Sequence, residues 1–142
     1  MTLHNRVWDQ GDTSNGVLPA NDIGIWSLGD PIPQSGERLL IGIARWSRYD
    51  HRLLSLLETI PRNTCQIELF DADRCKSQEA VRDYIADIGF AHHTPFVGLW
   101  RDGVLVESEN GYAGRHLIYR VLGLDAVQAD DFVIHARTPV TV

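Results

Sequence analysis

Strand-like and helix-like patterns alternate through the middle of this sequence, and the alternation constrains the fold more than any other feature. The apolar run 39–44 precedes leucines at helical spacing near 50–60, and the strand pattern 66–71 precedes a helical pattern near 77–88. A strand, a helix and a second strand in that order predict a βαβ unit with parallel strands. The chain is therefore expected to belong to the α/β class.

After residue 94 the pattern changes to that of a hairpin. Strand patterns at 96–100 and 104–107 are separated by Arg101-Asp102-Gly103, which predicts a tight turn between antiparallel strands. A last helix is predicted near 114–122. The predicted order of the central elements is therefore β-α-β-α-β-β-α.

The chain has 142 residues, a length that suits one compact domain. Residues 1–37 are rich in turn formers and predict an irregular N-terminal arm with one short strand near 23–28. The ordered pattern occupies 38–124 and predicts the folded domain. Residues 125–142 are expected to form a C-terminal extension with a further strand at 132–136.

Charge and hydropathy exclude several classes of function. The net charge is −6 and basic residues are scattered among acidic ones, whereas a nucleic-acid-binding protein needs a basic patch or stripe. The first residues lack the apolar core of a signal peptide, and no apolar run approaches the ~20 residues that cross a bilayer. We therefore expect a cytoplasmic protein with neither a nucleic-acid nor a membrane partner.

Three short motifs occur in an informative order: Ala44-Arg45-Trp46, Thr94-Pro95 and Trp100-Arg101-Asp102-Gly103. Together with the element order over 38–123, they resemble the thioredoxin family, which has Ala-Glu-Trp before its cysteines, a cis proline, and a Phe-Lys-Asn-Gly turn. The resemblance implies an α/β thioredoxin-like fold. Such a fold has a central mixed sheet flanked by helices, here with N- and C-terminal extensions.

The same resemblance implies that the usual redox chemistry is absent. It places Ser47 at the nucleophilic cysteine, Asp50 at the resolving cysteine, and Ile41 at the buried acid that assists proton transfer. A serine hydroxyl cannot form or exchange a disulfide. We therefore predict a redox-inactive relative without catalytic residues or cofactor, and expect Ser47 or Asp50 to cap the helix that follows.

A hydrolytic triad of Ser47, Asp50 and His51 is not expected. Asp50 and His51 are adjacent at a helix start and would point to different sides, whereas a triad needs the acid to orient the base toward the nucleophile. A metal site could be drawn from His92, His93 and their neighbours, but no C-x-x-C or H-x-x-x-H spacing supports it. No metal is predicted.

The two cysteines are predicted to lie at opposite ends of one strand. Cys65 begins the strand and Cys75 follows its far end, roughly 20 Å away at ~3.3 Å per residue, so they cannot form a disulfide. Cys65 is expected to be a buried core thiol. Cys75 is a candidate reactive thiol, because it follows the carboxyl end of a parallel strand, where such sheets place their sites.

The resemblance also implies a function that needs no cysteine. In thioredoxin-like proteins the groove beside the cis proline holds an extended peptide, and here aromatic side chains could form an apolar wall. We predict a redox-inactive binding or chaperone and assembly protein that holds a protein or peptide partner, with the oligomeric state left open. The predicted binding residues are Trp46, Ser47, Tyr49, Asp50, His93, Thr94 and Pro95.

Two alternatives remain open at this point. One is a thiol-dependent enzyme or redox sensor that uses Cys75 alone, in the manner of relatives that work with glutathione. The other is a structural subunit whose terminal segments pair with another chain.

Trp100 lies in mid-strand and is expected to be part of the core.

Overall fold

The computed structural model describes residues 3–8, 17–18, 23–25, 34–60, 65–74 and 93–137. The strands are β1 (Val17–Leu18), β2 (Ile23–Ile25), β3 (Glu37–Ile43), β4 (Gln66–Asp71), β5 (Phe96–Arg101) and β6 (Val104–Asn110). The helices are α1 (Leu3–Trp8), α2 (Arg48–Thr59), α3 (Gly111–Leu122) and α4 (Ala126–Val133), with a 3-10 turn at Ala72–Arg74.

The described strands form one mixed sheet in the order β1-β2-β4-β3-β5-β6. Strand β4 is parallel to both β2 and β3, whereas β3–β5 and β5–β6 are antiparallel pairs. The βαβ unit β3-α2-β4 and the β5–β6 hairpin are those predicted from the sequence. The α/β thioredoxin-like fold class, with its central mixed sheet, is confirmed.

The hairpin turn has the backbone that its sequence requires. Asp102 and Gly103 both have positive φ, 51° and 82°, as in the two-residue type I′ turn that suits the twist of paired strands. The Asp102 carboxylate also accepts the N–H of Gly36 at 2.8 Å.

The helix predicted at 77–88 lies outside the described residues.

The N-terminal segment contains more regular structure than predicted. The strand expected near 23–28 is present at Ile23–Ile25, but helix α1 was not predicted, because six residues are too few to show a helical period. Leu3 and Val7 are completely buried, and the Leu3 N–H donates to the Glu58 carboxylate of α2 at 2.6 Å. Burial in the core therefore stabilises α1.

The strand predicted at 132–136 is wrong, because this segment ends helix α4. Asp125 caps α4 by accepting the N–H of Gln128 at 3.0 Å. Ala129 and Val133, four residues apart, are buried against the core. The β-branched pair at 133–134 favours a strand locally, but the cap and the buried face of the helix decide the structure.

The central strands β3 and β5 are buried on both faces of the sheet. Ile41 and Ile43 of β3 belong to the main core with α1, α2 and α3, and residues of the opposite face are buried as well. The buried residues of the opposite face include Leu40, Phe70, Phe96 and Trp100, so the prediction that Trp100 is part of the core is confirmed.

No helix in the described ranges has the length and apolar character to cross a membrane.

Candidate functional site

The turn between β3 and α2 is fixed by Ser47. Its side chain accepts the N–H of Asp50 at 3.3 Å, and its own N–H donates to the carbonyl of Ala44 at 3.1 Å. Ser47 is therefore the N-cap of α2, with extended backbone. One of the two predicted caps is confirmed, and the hydroxyl is committed to the helix start.

The alternative prediction, that the Asp50 carboxylate caps the helix, is wrong. Asp50 lies fully buried beneath the turn. Its Oδ2 accepts the N–H of Ala44 at 2.8 Å, so the carboxyl group ties the end of β3 to the first turn of α2. Burial raises the pKa of Asp50 to about 6. Asp50 can therefore support a binding surface from below but does not form part of that surface.

The other groups around Asp50 act against this shift. The Thr94 hydroxyl, the Ala44 N–H, Ser47 and the Arg115 charge each lower the pKa of the carboxyl, but desolvation outweighs them. Oδ1 of Asp50 and Oγ1 of Thr94 are both buried without a hydrogen bond of good geometry. The Thr94 hydroxyl is therefore close enough to lower the pKa of Asp50, but it does not form a good hydrogen bond with the carboxyl group.

The Thr94–Pro95 peptide bond is cis, and this loop packs against the start of α3. The Pro95 carbonyl accepts the N–H of Gly111 at 3.0 Å. Pro95 is buried and His93 is exposed. A Cβ placed on Gly111 would lie 3.1 Å from the Cβ of His93. Helix α3 and the Pro95 loop therefore meet with almost no intervening side chain.

Gly114 permits the closest part of this contact. A Cβ placed on it would lie 2.9 Å from the Pro95 carbonyl oxygen and 3.2 Å from Cγ2 of Val97. We expect Gly114→Ala to destabilise the protein by about 1–2 kcal/mol, because the overlap outweighs the ~1 kcal/mol that alanine gains in a helix. Urea denaturation measures this difference.

The matched control for Gly114→Ala is the neighbouring exposed position. Ala113→Gly should lower stability by about 1 kcal/mol through helix propensity alone, since Ala113 is exposed. If Gly114→Ala proves more stable than the unsubstituted protein, the close approach of α3 to Pro95 is not a constraint.

Arg115 of α3 connects helix α4 to the exposed tyrosines. Its guanidinium carbon lies 5.6 Å from the ring centre of Tyr49 and 5.7 Å from that of Tyr112, within the range of cation–π attraction. Its Nε lies 3.5 Å from Oδ1 of Asp130 on α4. Tyr119 donates to the same oxygen at 2.7 Å. Arg115 is therefore held from α4 and positions both exposed rings.

Among the described residues, three aromatic side chains are prominently exposed, and all lie at the Pro95 end of the sheet. We call them the aromatic patch: Trp46 is 64% exposed, Tyr49 42% and Tyr112 63%. Trp46 and Tyr49 follow the end of β3, which pairs with the start of β5, and Tyr112 begins α3 beside Pro95. Tyr112 was not among the predicted binding residues, although its place between the predicted hairpin and the last predicted helix was a usable signal.

The Trp46 side chain is oriented by the end of the neighbouring strand. Its Nε1–H donates to Oδ1 of Asp73 at 3.1 Å, and the N–H of Arg45 donates to Oδ2 of the same carboxylate at 3.1 Å. The Asp73 N–H in turn donates to Oδ1 of Asp71 at 2.9 Å. Asp73, which was not among the predicted binding residues, therefore fixes the orientation of the indole.

His51 is held away from a catalytic role with Ser47. Its Nε2 lies 2.6 Å from the Arg45 carbonyl, and its ring centre lies 4.6 Å from that of Trp8. Asp50 is fully buried and its carboxylate accepts the Ala44 N–H, so the geometry does not assemble a Ser-His-Asp triad. Among the described residues, no three His, Cys, Asp or Glu side chains are grouped to hold a metal. His92 and Cys75 lie outside the described residues.

Cys65 is the buried thiol that the sequence predicts. Burial, with a smaller contribution from the Glu37 charge, raises its pKa to about 12. At neutral pH only roughly one molecule in 10⁵ would carry the reactive thiolate. Cys65 therefore does not supply redox chemistry.

Thiol titration of the folded Cys75→Ser variant should therefore show almost no reaction. We expect less than about a tenth of its single thiol to react with an aromatic disulfide reagent at pH 7 in the time that a small free thiol reacts completely. In the unsubstituted protein, a fast second thiol would be Cys75 and would favour the single-cysteine alternative. If Cys75 reacts no faster than a free thiol, that alternative is removed. Rapid labelling of Cys65 in the folded variant would contradict its burial.

Comparisons with known proteins place this chain in no family. No protein-family model matches its sequence, and no curated protein matches it either. Among solved structures, it is similar to a mutant thioredoxin from Halobacterium salinarum NRC-1, with a TM-score of 0.41 and 17% identity over 62% of this chain and 73% of that one. The fold assignment rests on the order and pairing of this chain's own strands.

Proposed function

We propose that this protein is a redox-inactive thioredoxin-like binding protein, with a chaperone or assembly role, that holds an extended segment of a partner protein beside Pro95. The observation that carries the proposal is the aromatic patch of Trp46, Tyr49 and Tyr112 at that end of the sheet. Large aromatic side chains with solvent on one side are typical anchors of protein interfaces. No cysteine is needed for such binding.

The backbone beside Pro95 supports the same function. Within the described residues, neither the N–H nor the carbonyl of Thr94 makes a backbone hydrogen bond outside the sheet, and Thr94 lies two residues before the start of β5. An extended peptide could pair with this backbone as an added strand does. The neighbouring carbonyl of Pro95 is already bonded to Gly111, so Thr94 provides the free backbone at this position.

Each predicted binding residue has a defined place in the proposal. The patch residues Trp46 and Tyr49 contact the partner, His93 lies exposed at its border, and Thr94 offers its backbone. Ser47, Asp50 and Pro95 shape the site from within, because Ser47 caps α2 and the other two are buried. Tyr112 is added to the contact residues.

Selection from a displayed library of random 12-residue peptides tests this function. The immobilised full chain should enrich peptides by at least about tenfold over a Trp46→Ala/Tyr112→Ala variant, because truncated aromatic anchors commonly cost 2 kcal/mol or more. Folding of the variant is verified by circular dichroism. The truncated side chains are exposed and should be dispensable for the core.

Val104→Ala is the matched control, since it also removes exposed apolar surface. Val104 is at the hairpin turn, at the other end of β5 from Pro95, so this variant should enrich the same peptides as the unsubstituted chain. Equal enrichment by the folded aromatic variant, or no enrichment by the unsubstituted chain, would refute peptide binding at this site.

A further inference from the structure

We infer that the partner segment held by the aromatic patch is acidic, with carboxylate side chains beside an apolar anchor residue. This inference rests on the proposed function and specifies the chemistry of its ligand. Arg45 and Arg48 are exposed in the same turn as Trp46 and Tyr49. Their guanidinium groups provide the positive charge that such a segment would meet.

The charges of these two arginines are not used within the described structure. Arg38, Arg101, Arg115 and Arg120 each form an ion pair with a carboxylate, and Arg52 donates to the carbonyls that end α4. No ion pair or side-chain hydrogen bond with another described residue involves the guanidinium of Arg45 or Arg48. The chain as a whole is acidic, with a net charge of −6. Two cations without an ion pair to a described residue, beside the exposed rings, differ from this overall character.

Their position also opposes the preference of the helix. Arg48 is the first residue of α2 and Arg45 lies just before its cap, where the helix dipole favours negative charge. The two cations and the helix terminus therefore both favour a negatively charged group at this turn. A partner carboxylate would relieve this repulsion.

Asp73 offsets part of this charge but is otherwise engaged. Both of its carboxylate oxygens accept hydrogen bonds from the turn, one from the Trp46 indole and one from the Arg45 backbone. The exposed surface of the turn thus carries two guanidinium groups and one carboxylate, that of Asp73, because Asp50 and Asp71 are buried. The remaining positive charge favours an acidic peptide over a neutral or basic one.

The test uses peptides recovered from the displayed library. Sequences enriched by the full chain should contain more Asp and Glu than the input library. One enriched peptide is then synthesised with its natural carboxylates and in a form with Asn and Gln in their place. Arg45→Gln/Arg48→Gln should bind the acidic form about tenfold more weakly, as two surface charge pairs would give, and the neutral form unchanged.

Arg101→Gln is the matched control, because Arg101 is an exposed arginine at the far end of β5. It should bind both peptides as the unsubstituted chain does. Enrichment that depends on Trp46 and Tyr112 but shows no acidic preference would overturn this inference and leave the proposed function standing. Loss of all enrichment would remove both.

A second copy of this chain is the other occupant that the test distinguishes. If size measurement shows a dimer that Trp46→Ala dissociates, the patch is a self-interface and the inference is wrong. An unchanged affinity of Arg45→Gln/Arg48→Gln for the acidic peptide would also overturn it.

Discussion

Replacing Asp50 with asparagine should stabilise this protein at pH 7 by up to roughly 3 kcal/mol. The buried carboxyl has a pKa of about 6 in the folded protein against 3.8 when free, and each pKa unit corresponds to ~1.4 kcal/mol. Between these two values the folded state holds more protons than the unfolded state. Stability from this group therefore falls as pH rises from about 4 to 6.

Asparagine removes the charge and keeps the shape of the side chain. Its amide oxygen can accept the Ala44 N–H that Oδ2 of Asp50 now accepts, and its NH₂ group can donate toward the Thr94 hydroxyl. At pH 4, where Asp50 is protonated, the variant and the unsubstituted protein should have similar stability. Urea denaturation at pH 4, 5, 6 and 7 measures the difference directly, and other titrating groups cancel from it.

Asp131→Asn is the control for this measurement, because Asp131 is a partly exposed residue of α4. Its effect on stability should be within about 0.5 kcal/mol, as for most surface substitutions. A constant difference between the Asp50→Asn variant and the unsubstituted protein across pH 4–7 would contradict the raised pKa. Destabilisation at pH 7 would show that the Arg115 charge needs the carboxylate more than burial disfavours it.

The fate of Asp50 shows where sequence reasoning stops. An acidic residue in the first turn of a helix has the pattern of a capping or dipole-compensating group, and nothing nearby in the sequence distinguishes that from burial. Two of the four residues that lower its pKa, Thr94 and Arg115, are far away in the chain, and the α3 contact through Gly114 brings that helix against the Pro95 loop. The environment of the site is therefore a product of tertiary packing.

The strands show the complementary case. β4 has the bounds predicted from its period-2 pattern, because alternation is a local property of a strand in a sheet. The strand predicted at 132–136 was wrong because Val133 and Ile134 favour strands locally. The contacts that stabilise the helix there come from α2 and α3, which are distant in sequence. Tyr112 was likewise visible in the sequence but gained meaning only from its neighbour Arg115.

A second large effect is expected from restoring two cysteines. The Ser47→Cys/Asp50→Cys variant, made in a Cys75→Ser background, should form an internal disulfide and accelerate the reduction of insulin disulfides by dithiothreitol at least tenfold. Residues three apart at a helix start have Cα atoms about 5 Å apart, within the 4.4–6.8 Å range of disulfides. The Ser47 hydroxyl oxygen already lies 3.3 Å from the backbone nitrogen of Asp50.

The control carries one new thiol only, as Ser47→Cys/Asp50→Ser in the same background. It should form no internal disulfide, because the remaining Cys65 is buried at the start of β4, whereas position 47 follows the opposite, carboxyl end of β3. Mass spectrometry after oxidation by glutathione distinguishes the two variants by loss of two hydrogens from the paired form. A double-cysteine variant that folds but remains fully reduced would show that this turn lacks the geometry of a redox site. A disulfide would show that the backbone of this turn can hold a redox pair once positions 47 and 50 carry thiols.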